Sequence, residues 1–191
     1  MRPAVFLDRD GTVIEERGYL GHLDLIELFP GSAQAIRLLK DAGYAVVIVT
    51  NQAGVARGLF DEAFVQSAHA RLDAMLREQG ALVDGYYYCP HHPDGSVDRY
   101  ALRCECRKPA PGMVRQAAAD LDLDVARSFV VGDKWLDVGL ATNAGARGVL
   151  VRTGYGGGGD LVPPAGCEPV VIVDTLLDAA RWIVDAAVAL R

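Results

Sequence analysis

Six short apolar runs rich in β-branched residues recur along the chain and constrain its fold more than any other feature. Each run is continuous rather than alternating, which is typical of strands buried on both faces of a parallel sheet. Helix-like segments separate them, and this alternation predicts an open α/β sheet with helices on both faces. The runs are PAVFLD (3–8), YAVVIVTN (44–51), DGYYYC (84–89), SFVVGD (128–133), RGVLVR (147–152) and PVVIVD (169–174).

Helical segments are predicted between these runs, and a final strand and helix close the chain. The first follows Pro30-Gly31 and ends at Gly43, which predicts an N-cap at Ser32 and a C-terminal glycine. No internal repeat or linker divides the 191 residues, so we expect one domain spanning 1–191. The four segments are 32–43, 61–80, 111–123 and 136–145, and TGYGGGGDLVPPAG (153–166) is predicted to be a flexible loop.

Charge and hydropathy limit the classes of partner. The formal net charge of −6 leaves no broad basic surface for nucleic acid. The N-terminal apolar run is too short for a signal peptide, and no later window approaches the length of a membrane span. We therefore expect a cytoplasmic protein that binds neither nucleic acid nor membrane. A monomer is expected because no segment is an obvious association helix.

Two aspartates, Asp8 and Asp10, stand at the end of the first predicted strand in FLDRDGTVI. Carboxylates this close repel each other unless a cation or a shared proton compensates. A hard divalent ion such as Mg²⁺ suits them because it prefers oxygen ligands. The alternative is an ordinary solvated turn, in which Asp and Gly are common.

Further polar residues follow other predicted strands. Thr50 and Asn51 end the second strand and could meet an anion, although Thr-Asn is also ordinary turn chemistry. Asp133 could complete a metal shell or cap the helix that carries Asp137. Lys108 precedes a proline that is predicted to start the next helix. Ligands of open α/β sheets bind at the carboxyl ends of strands, where these residues are expected to meet.

Cysteine and histidine are concentrated in one stretch, CPHHPDGSVDRYALRCECRKP, which holds three of the four cysteines and two of the four histidines. Its C-x-H and C-x-C pairs, twelve residues apart, suit tetrahedral Zn²⁺ with no open position, which makes the site structural. A redox centre is less favoured because neither pair has the C-x-x-C spacing. His92 is a possible rival ligand, but the equal spacing of the pairs favours His91. The predicted zinc ligands are Cys89, His91, Cys104 and Cys106.

The remaining cysteine and histidines have no predicted role. Cys167 lies far along the chain beside a Gly-Pro loop and is expected to be a lone thiol. His22 and His69 are expected on the surface or in loops.

The order D-x-D-G-T, T-N, K-P, G-D-x-x-x-D resembles the four motifs of the haloacid dehalogenase (HAD) superfamily of phosphatases, from residue 4 to about 152. The resemblance implies a Rossmann-like, three-layer αβα fold with a mostly parallel central sheet. Superfamily cap domains are inserted after the first motif or after the third strand. Here both gaps are too short for a domain. The resemblance therefore implies a capless enzyme with a zinc loop (89–108) after the third strand, whose substrate is selected by loops.

The resemblance also implies residue roles. Asp8 corresponds to the nucleophile that forms an aspartyl-phosphate, and Asp10 to the general acid and base. Thr50 and Lys108 correspond to the residues that stabilise charge on the phosphoryl group. Asp8, the backbone carbonyl of Asp10 and Asp133 correspond to the ligands of a catalytic Mg²⁺.

The zinc loop narrows the resemblance to a capless, zinc-containing subgroup that acts on a heptose bisphosphate or on histidinol phosphate. The twelve-residue gap and the segments TNQAGVARG and CECRKPAPGM resemble the heptose members of this subgroup. The resemblance implies removal of the 7-phosphate of a heptose bisphosphate, on the route to nucleotide-activated heptose. Histidinol phosphate remains the alternative, and a catalytically silent phosphosugar-binding protein a further one. The presence of both Asp8 and Asp10 favours an enzyme.

The substrate, a small sugar bisphosphate, has a second dianion to be bound. A guanidinium at Arg107 offers a bidentate fork for it beside Lys108. The α or β preference at C1 cannot be deduced from the residues. The substrate contacts implied by the resemblance are Glu16, Arg17, Gly18, Tyr19, Thr50, Asn51, Gln52, Ala53, Arg107, Lys108 and Lys134.

Overall fold

A six-stranded, wholly parallel sheet in the order β3-β2-β1-β4-β5-β6 forms the centre of the protein. The computed structural model describes residues 1–157 and 165–189. All six predicted strands are confirmed, with ends that differ by at most two residues. The strands are β1 (Ala4–Leu7), β2 (Ala45–Asn51), β3 (Gly85–Cys89), β4 (Phe129–Gly132), β5 (Arg147–Val151) and β6 (Val171–Val173).

The described residues contain six α-helices, and each of the four predicted segments overlaps one of them. The predicted N-cap of the first helix was wrong, because Gly31, in the left-handed conformation (φ 85°), occupies that position. Ser32 instead donates its hydroxyl to the carbonyl of Val13 at 2.8 Å. The helices are α1 (Ser32–Asp41), α2 (Ala53–Ala56), α3 (Glu62–Glu78), α4 (Gly112–Leu121), α5 (Trp135–Ala144) and α6 (Leu176–Ala189).

The prediction that the proline after Lys108 starts a helix was also wrong. Helix α4 begins three residues later, and Pro109 is joined to Lys108 by a cis peptide bond. The reason is a tight turn before the helix, in which the N–H of Gly112 donates to the carbonyl of Glu105 at 2.7 Å. This turn ends the zinc loop and fixes the direction in which Lys108 leaves it.

Helices cover both faces of the sheet and produce three layers. Val5 and Leu7 of β1 pack with α1, α3 and α6 on one face, whereas Ala4 and Phe6 pack with α4 and α5 on the other. Because side chains alternate along a strand, each central strand contributes to both halves of the core. The edge strand β6 departs from the expectation of full burial, since Ile172 is 38% exposed.

No cap domain interrupts the described part of the chain. The segments after β1 and after β3 contain short 3₁₀ turns, at Leu23–Leu25 and Asp98–Tyr100, and the first also contains isolated β-bridges at Ile14. The capless architecture is therefore confirmed, and the carboxyl ends of β1, β2 and β4 open directly to the loops around them. Among residues 1–157 and 165–189, no helix combines the length and apolarity needed to cross a bilayer.

Candidate active site

The carboxyl ends of the adjacent strands β1, β2 and β4 bring together residues that are far apart in the sequence. Asp8 follows β1 directly, and its N–H donates to the carbonyl of Val131 at 2.9 Å. Thr50 lies near the end of β2, and Asp133 follows β4. All three side chains are buried. The sheet therefore assembles one polar centre at this edge, as the strand order of a parallel fold requires.

Lys108 reaches this centre from the zinc loop and is almost fully buried. Its Nζ lies 2.8 Å from Asp8 Oδ1 and 2.6 Å from Asp137 Oδ1, and donates to the carbonyl of Val49 at 3.1 Å. Burial disfavours its charge, but the two carboxylates outweigh burial and raise the pKa of Lys108 above its usual value. A permanent positive charge therefore stands beside Asp8.

Asn51 holds the backbone of Lys108 in place. Its side-chain amide donates to the carbonyl of Lys108 at 3.3 Å, and its Oδ1 accepts the Lys108 N–H at 3.0 Å. Asn51 was predicted to meet an anion through its backbone N–H, and its side chain holds the loop that carries Lys108.

Replacing Lys108 with Met is expected to lower the free energy of unfolding by about 3 to 5 kcal/mol, because Asp8 and Asp137 then lose their shared buried counter-charge. Urea unfolding at neutral pH measures the loss. The matched control is Lys40→Met, which removes a lysine from a more exposed ion pair with Asp84 and should cost about 1 kcal/mol or less. Adding Asp137→Asn to the Lys108 variant should recover part of the loss. Equal costs for the two single variants would contradict the assignment.

Three buried carboxylates, from Asp8, Asp133 and Asp137, place oxygens within 4.8 Å of one another. Burial, followed by the charge of Asp8, raises the pKa of Asp133 to about 7, and burial raises that of Asp137 to about 6. Three carboxylates thus share the buried ammonium of Lys108, with Lys134 as a further cation near Asp133. A divalent cation would relieve the remaining repulsion.

Asp133 offers an unused oxygen to such a cation. Its Oδ1 is buried and has no hydrogen-bond partner among the described residues, while its Oδ2 accepts the N–H of Tyr155 at 2.8 Å. The oxygens of Asp137 are both engaged, one by Lys108 Nζ and one by the N–H of Lys134 at 3.2 Å. An orphaned oxygen within an all-oxygen donor set fits Mg²⁺, and it favours Asp133 over Asp137 as the ligand.

Asp10 is held by an arginine that sequence reasoning missed. Arg9 donates from Nε and Nη2 to the two oxygens of Asp10 at 3.1 and 3.0 Å, and Gln52 Nε2 donates to Asp10 at 3.0 Å. Burial opposes ionisation, but the charge and hydrogen bonds of Arg9 together with Gln52 and Lys134 outweigh it and lower the pKa of Asp10. The only signal was the charged residue between the two aspartates, which an ordinary surface arginine would also produce. In the structure Arg9 is 2% exposed.

Thr50 and Gln52 complete this network on the β2 side. Gln52 Nε2 donates to Thr50 Oγ1 at 2.8 Å, and Arg9 Nη2 donates to Gln52 Oε1 at 3.0 Å. The Thr50 hydroxyl is also 3.4 Å from Asp10 Oδ2. The Thr50 hydroxyl therefore lies next to the general acid and base implied by the motifs.

The segment after β1 contributes three of its four predicted contacts to the cavity wall. Glu16, Gly18 and Tyr19 line the cavity, whereas the guanidinium of Arg17 is paired with Glu15 at 2.7 Å and with Glu27 at 2.8 Å. The structure does not bring the Arg17 side chain to the cavity, because two neighbouring carboxylates hold it outside.

Lys134 also lines the cavity, between a carboxylate and an aromatic ring. Its Nζ is 3.2 Å from Glu16 Oε2 and 4.4 Å from the centroid of the Tyr155 ring. The ring face adds a cation–π attraction to the ion pair. Lys134 is therefore positioned at the cavity by two elements that lie far from it in the sequence.

The start of the glycine-rich loop is packed against the site, which its composition did not indicate. Thr153 Oγ1 donates to the carbonyl of Gly11 at 2.7 Å. A Cβ at Gly11 or at Gly154 would lie 2.3 Å from Asp133 Oδ2, so both positions require glycine. The part of the predicted flexible loop between 158 and 164 lies outside the described residues.

The predicted zinc ligands form one cluster. Their sulfur and Nδ1 atoms are separated by 3.1 to 3.7 Å along the contacting pairs, close to the edge of about 3.7 Å expected for a ZnS₄ tetrahedron. Hydrogen bonds from Cys89 and its neighbours lower the pKa of Cys106 to about 5 despite burial, which favours a thiolate. A three-sulfur, one-nitrogen set fits zinc. The cluster consists of Cys89, His91, Cys104 and Cys106.

His91 rather than His92 belongs to the cluster, as the spacing indicated. His92 Nδ1 instead accepts the N–H of Asp94 at 3.1 Å. The carbonyl of His91 accepts a hydrogen bond from Arg107 Nη1 at 3.1 Å. The cluster thus positions Arg107 directly. Cys167 is a free thiol outside the cluster.

The expectation that His69 lies on the surface or in a loop was wrong. It belongs to α3, is 7% exposed, and stacks on Tyr86 with 5.1 Å between ring centroids. Burial lowers its pKa to about 3, so the imidazole is neutral. The cause is the tyrosine run of β3, whose rings form an aromatic pocket beneath α3. His22 is exposed, as expected.

Together these elements enclose a cavity of about 160 Å³ whose floor is formed by Asp8, Asp10 and Lys108. Acidic, amide and cationic groups face each other across it, which suits a phosphorylated ligand. All the predicted substrate contacts except Arg17 line it. The remaining members of that set are Glu16, Gly18, Tyr19, Thr50, Asn51, Gln52, Ala53, Arg107 and Lys134.

Comparison with known proteins assigns the class. Residues 105–179 match the HAD-hydrolase-like family model, and residues 4–141 match the model of polynucleotide kinase 3 phosphatase. A HAD-like phosphatase from Mesorhizobium loti shares 34% identity and a TM-score of 0.84, over 97% of this chain and 87% of that chain. The fold and the motif residues therefore define a phosphatase of the HAD superfamily.

More similar relatives narrow the family. D-glycero-β-D-manno-heptose-1,7-bisphosphate 7-phosphatase of Yersinia pestis is 50% identical over 80% of this chain and 81% of its own length, and the same enzyme of Escherichia coli K12 is 47% identical over 80% of each. D,D-heptose 1,7-bisphosphate phosphatase from B. bronchiseptica, complexed with magnesium and phosphate, shares 36% identity and a TM-score of 0.80 over 97% of this chain and 99% of that chain. The chain belongs to the D-glycero-β-D-manno-heptose-1,7-bisphosphate 7-phosphatase family.

Proposed function

We propose that this chain hydrolyses the 7-phosphate of D-glycero-β-D-manno-heptose 1,7-bisphosphate and releases heptose 1-phosphate. The observation that carries the proposal is the buried Asp8–Lys108 pair at the floor of a cavity whose walls present Arg107 and Lys134. Such a site offers a nucleophile with a fixed counter-charge and further cations for a second phosphate. The names of the relatives support the sugar and the β anomer, and the reaction would serve the formation of nucleotide-activated heptose.

Asp8 acts as the nucleophile. Its Oδ1 is fixed by Lys108 Nζ and by the N–H of Arg9, both at 2.8 Å, so Oδ2 is left to attack phosphorus. The new bond forms an aspartyl-phosphate as the bond from phosphorus to the sugar O7 breaks. Lys108 and the Thr50 hydroxyl stabilise charge on the transferring group.

Asp10 moves the protons. It delivers a proton to the departing O7 and takes one from the water that hydrolyses the aspartyl-phosphate, so the two steps balance. Arg9 favours the ionised form at rest, whereas a bound phosphate dianion nearby favours the protonated form needed first. Arg9 and Gln52 orient the carboxylate for both steps.

Two metal ions are part of the proposal. Asp8, the Asp10 carbonyl and Asp133 would hold Mg²⁺, which supplies charge neutralisation between the anionic nucleophile and the phosphate. Cys89, His91, Cys104 and Cys106 would hold a structural Zn²⁺ that shapes the loop before Arg107. The orphaned Asp133 Oδ1 and the sulfur–nitrogen cluster support these assignments.

We also infer that residues 1–191 act as one phosphatase domain and as a cytoplasmic monomer. A single six-stranded sheet supports one domain, and four free cysteines suit a reducing compartment. The partner is a small sugar bisphosphate. Neither nucleic acid nor membrane is proposed as a partner, in keeping with the net charge of −6.

A phosphate-release panel tests the function. Purified enzyme with Mg²⁺ is given both anomers of the heptose bisphosphate, fructose 1,6-bisphosphate, histidinol phosphate and a 3′-phosphorylated oligonucleotide. We expect the highest kcat/KM for the β-heptose bisphosphate, because its second phosphate can contact Arg107 and Lys134, which line the cavity. Product analysis should show that the phosphate released comes from C7.

The other outcomes separate the alternatives. A higher kcat/KM for histidinol phosphate would show that the substrate is wrong while the chemistry stands. Absence of phosphate release from every compound would instead favour a silent phosphosugar-binding protein, and direct binding of the bisphosphate would then identify it.

A further inference from the structure

Arg57 is an exposed arginine that the motifs do not assign. It caps the C-terminus of α2, and its guanidinium lies 5.7 Å from the ring centroid of Tyr19, which lines the catalytic cavity. Among the described residues it pairs with no carboxylate. Arg57 therefore presents a free cation next to the rim and is held against it by an aromatic face.

The zinc loop packs against the residues on both sides of Arg57 in the sequence. The N–H of Val97 donates to the carbonyl of Ala56 at 2.9 Å. A Cβ added to Gly95 would lie 2.8 Å from that carbonyl, and one added to Gly58 would lie 3.4 Å from Val97. Both chain neighbours of Arg57 thus pack closely on the loop, and this contact positions Arg57 more firmly than its exposure indicates.

Arg107 is positioned by the same loop. Its Nη1 donates to the carbonyl of His91, and no described carboxylate pairs with it. A Cβ added to Gly95 would lie 3.1 Å from the carbonyl of His92 as well as 2.8 Å from that of Ala56, so the part of the loop next to the Arg107 contact packs against the residue before Arg57. Two guanidinium groups without a described carboxylate partner are therefore positioned by the same loop, in a protein whose net charge is −6. Such local charge indicates an anion site.

The size of the cavity indicates which anion. At about 160 Å³ it is smaller than the roughly 300 Å³ and more that enclose a whole ligand. A sugar with phosphates at both ends must therefore extend beyond the cavity when one phosphate reaches Asp8. Tyr19 and Arg107 both line the cavity, and Arg57 lies over the ring of Tyr19.

We propose that Arg57 and Arg107 together bind the phosphate that is not cleaved, with Tyr19 supporting the guanidinium of Arg57. The assignment rests on the proposed function and adds Arg57 as a residue that determines preference for a bisphosphate. Two guanidinium groups can give several charge-assisted hydrogen bonds to one phosphate. A substrate with one phosphate gains nothing from them.

The test compares Arg57→Met, Arg57→Lys and wild type on the β-heptose bisphosphate and on heptose 7-phosphate, which lacks only the second phosphate. We expect Arg57→Met to lower kcat/KM for the bisphosphate about 10-fold, mainly through a higher KM. Its kcat/KM for the monophosphate should stay within about twofold. Arg57→Lys should retain part of the preference. Arg71→Met, at an exposed position of α3, is the matched control and should change neither value.

The results for wild type and variants distinguish failure of the proposed function from failure of the Arg57 assignment. Wild type that releases no phosphate from the bisphosphate contradicts the proposed function, and the Arg57 assignment falls with it. Wild type that cleaves the two substrates equally well leaves the function standing and overturns the Arg57 assignment. Wild type with a clear preference that Arg57→Met retains leaves the function standing and overturns Arg57 alone. Equal losses on both substrates would also overturn it, because a misfolded rim does not distinguish them.

Discussion

Replacing Asp8 with Asn is expected to lower kcat by about 10⁴-fold or more, because the amide cannot form the aspartyl-phosphate. The fold should remain intact. Lys108 keeps its contact with Asp137, and repulsion from Asp8 contributes to the raised pKa values of Asp133 and Asp137. Phosphate release measures the loss, and thermal unfolding without metal should show stability close to that of wild type.

The matched control is Asp41→Asn, at an exposed aspartate that ends α1 far from the cavity. It should retain full activity. Rapid quenching during turnover provides a second measurement, since mass spectrometry should locate a phosphoryl group on Asp8 in the wild type and none in the variant. A phosphorylated peptide that lacks Asp8, or turnover by Asp8→Asn near the wild-type rate, would contradict the mechanism.

Replacing Cys104 with Ser is expected to remove bound zinc and to lower the free energy of unfolding by several kcal/mol. Binding energy at a structural zinc site is also folding energy. The cluster adjoins the core beneath α4, with Cys89 fully buried. Metal analysis and urea unfolding measure the two effects. Affinity for Mg²⁺ should change less, because Asp8 and Asp133 belong to the sheet edge rather than to the loop.

Enzyme kinetics should test whether the zinc loop positions Arg107 for the substrate. Loss of zinc is expected to raise KM for the bisphosphate, since Arg107 donates to the carbonyl of the ligand His91. Cys167→Ser is the matched control, because this thiol lies outside the cluster. A Cys104 variant that folds and turns over normally without zinc would show that the metal has no structural role.

The fold followed from local sequence patterns to a large extent. Continuous apolar runs such as 44–51 are typical of strands in a parallel sheet with helices on both faces. The strands and the fold class could therefore be predicted from the pattern of apolar residues. The errors occurred where contacts with residues outside the predicted segment decide the structure. His69 became buried because Tyr86 of β3 stacks on it, and Pro109 stayed outside the helix because a turn closes on Glu105.

The candidate site likewise contains residues that the sequence indicated and residues that it did not. Asp8, Asp10, Lys108 and Asp133 stand at fixed places in short motifs, so their residue types and order were sufficient to indicate phosphoryl chemistry. Arg9 was missed because nothing local distinguishes a buried arginine from a solvated one. The cation–π contact between Lys134 and Tyr155 could not be predicted from the sequence either, because it depends on how the segment after β5 packs on Asp133.

The sequence by itself determined the sheet, the motif carboxylates and the spacing of the sulfur and imidazole ligands, because these depend on residues close together in the chain. Only the tertiary structure decided which charges meet. It paired Lys108 with Asp8 and Asp137, held Asp10 with Arg9, and left one oxygen of Asp133 without a partner. The physical reason is that electrostatic energies depend on distance and burial, and both are set by packing between segments far apart in the chain.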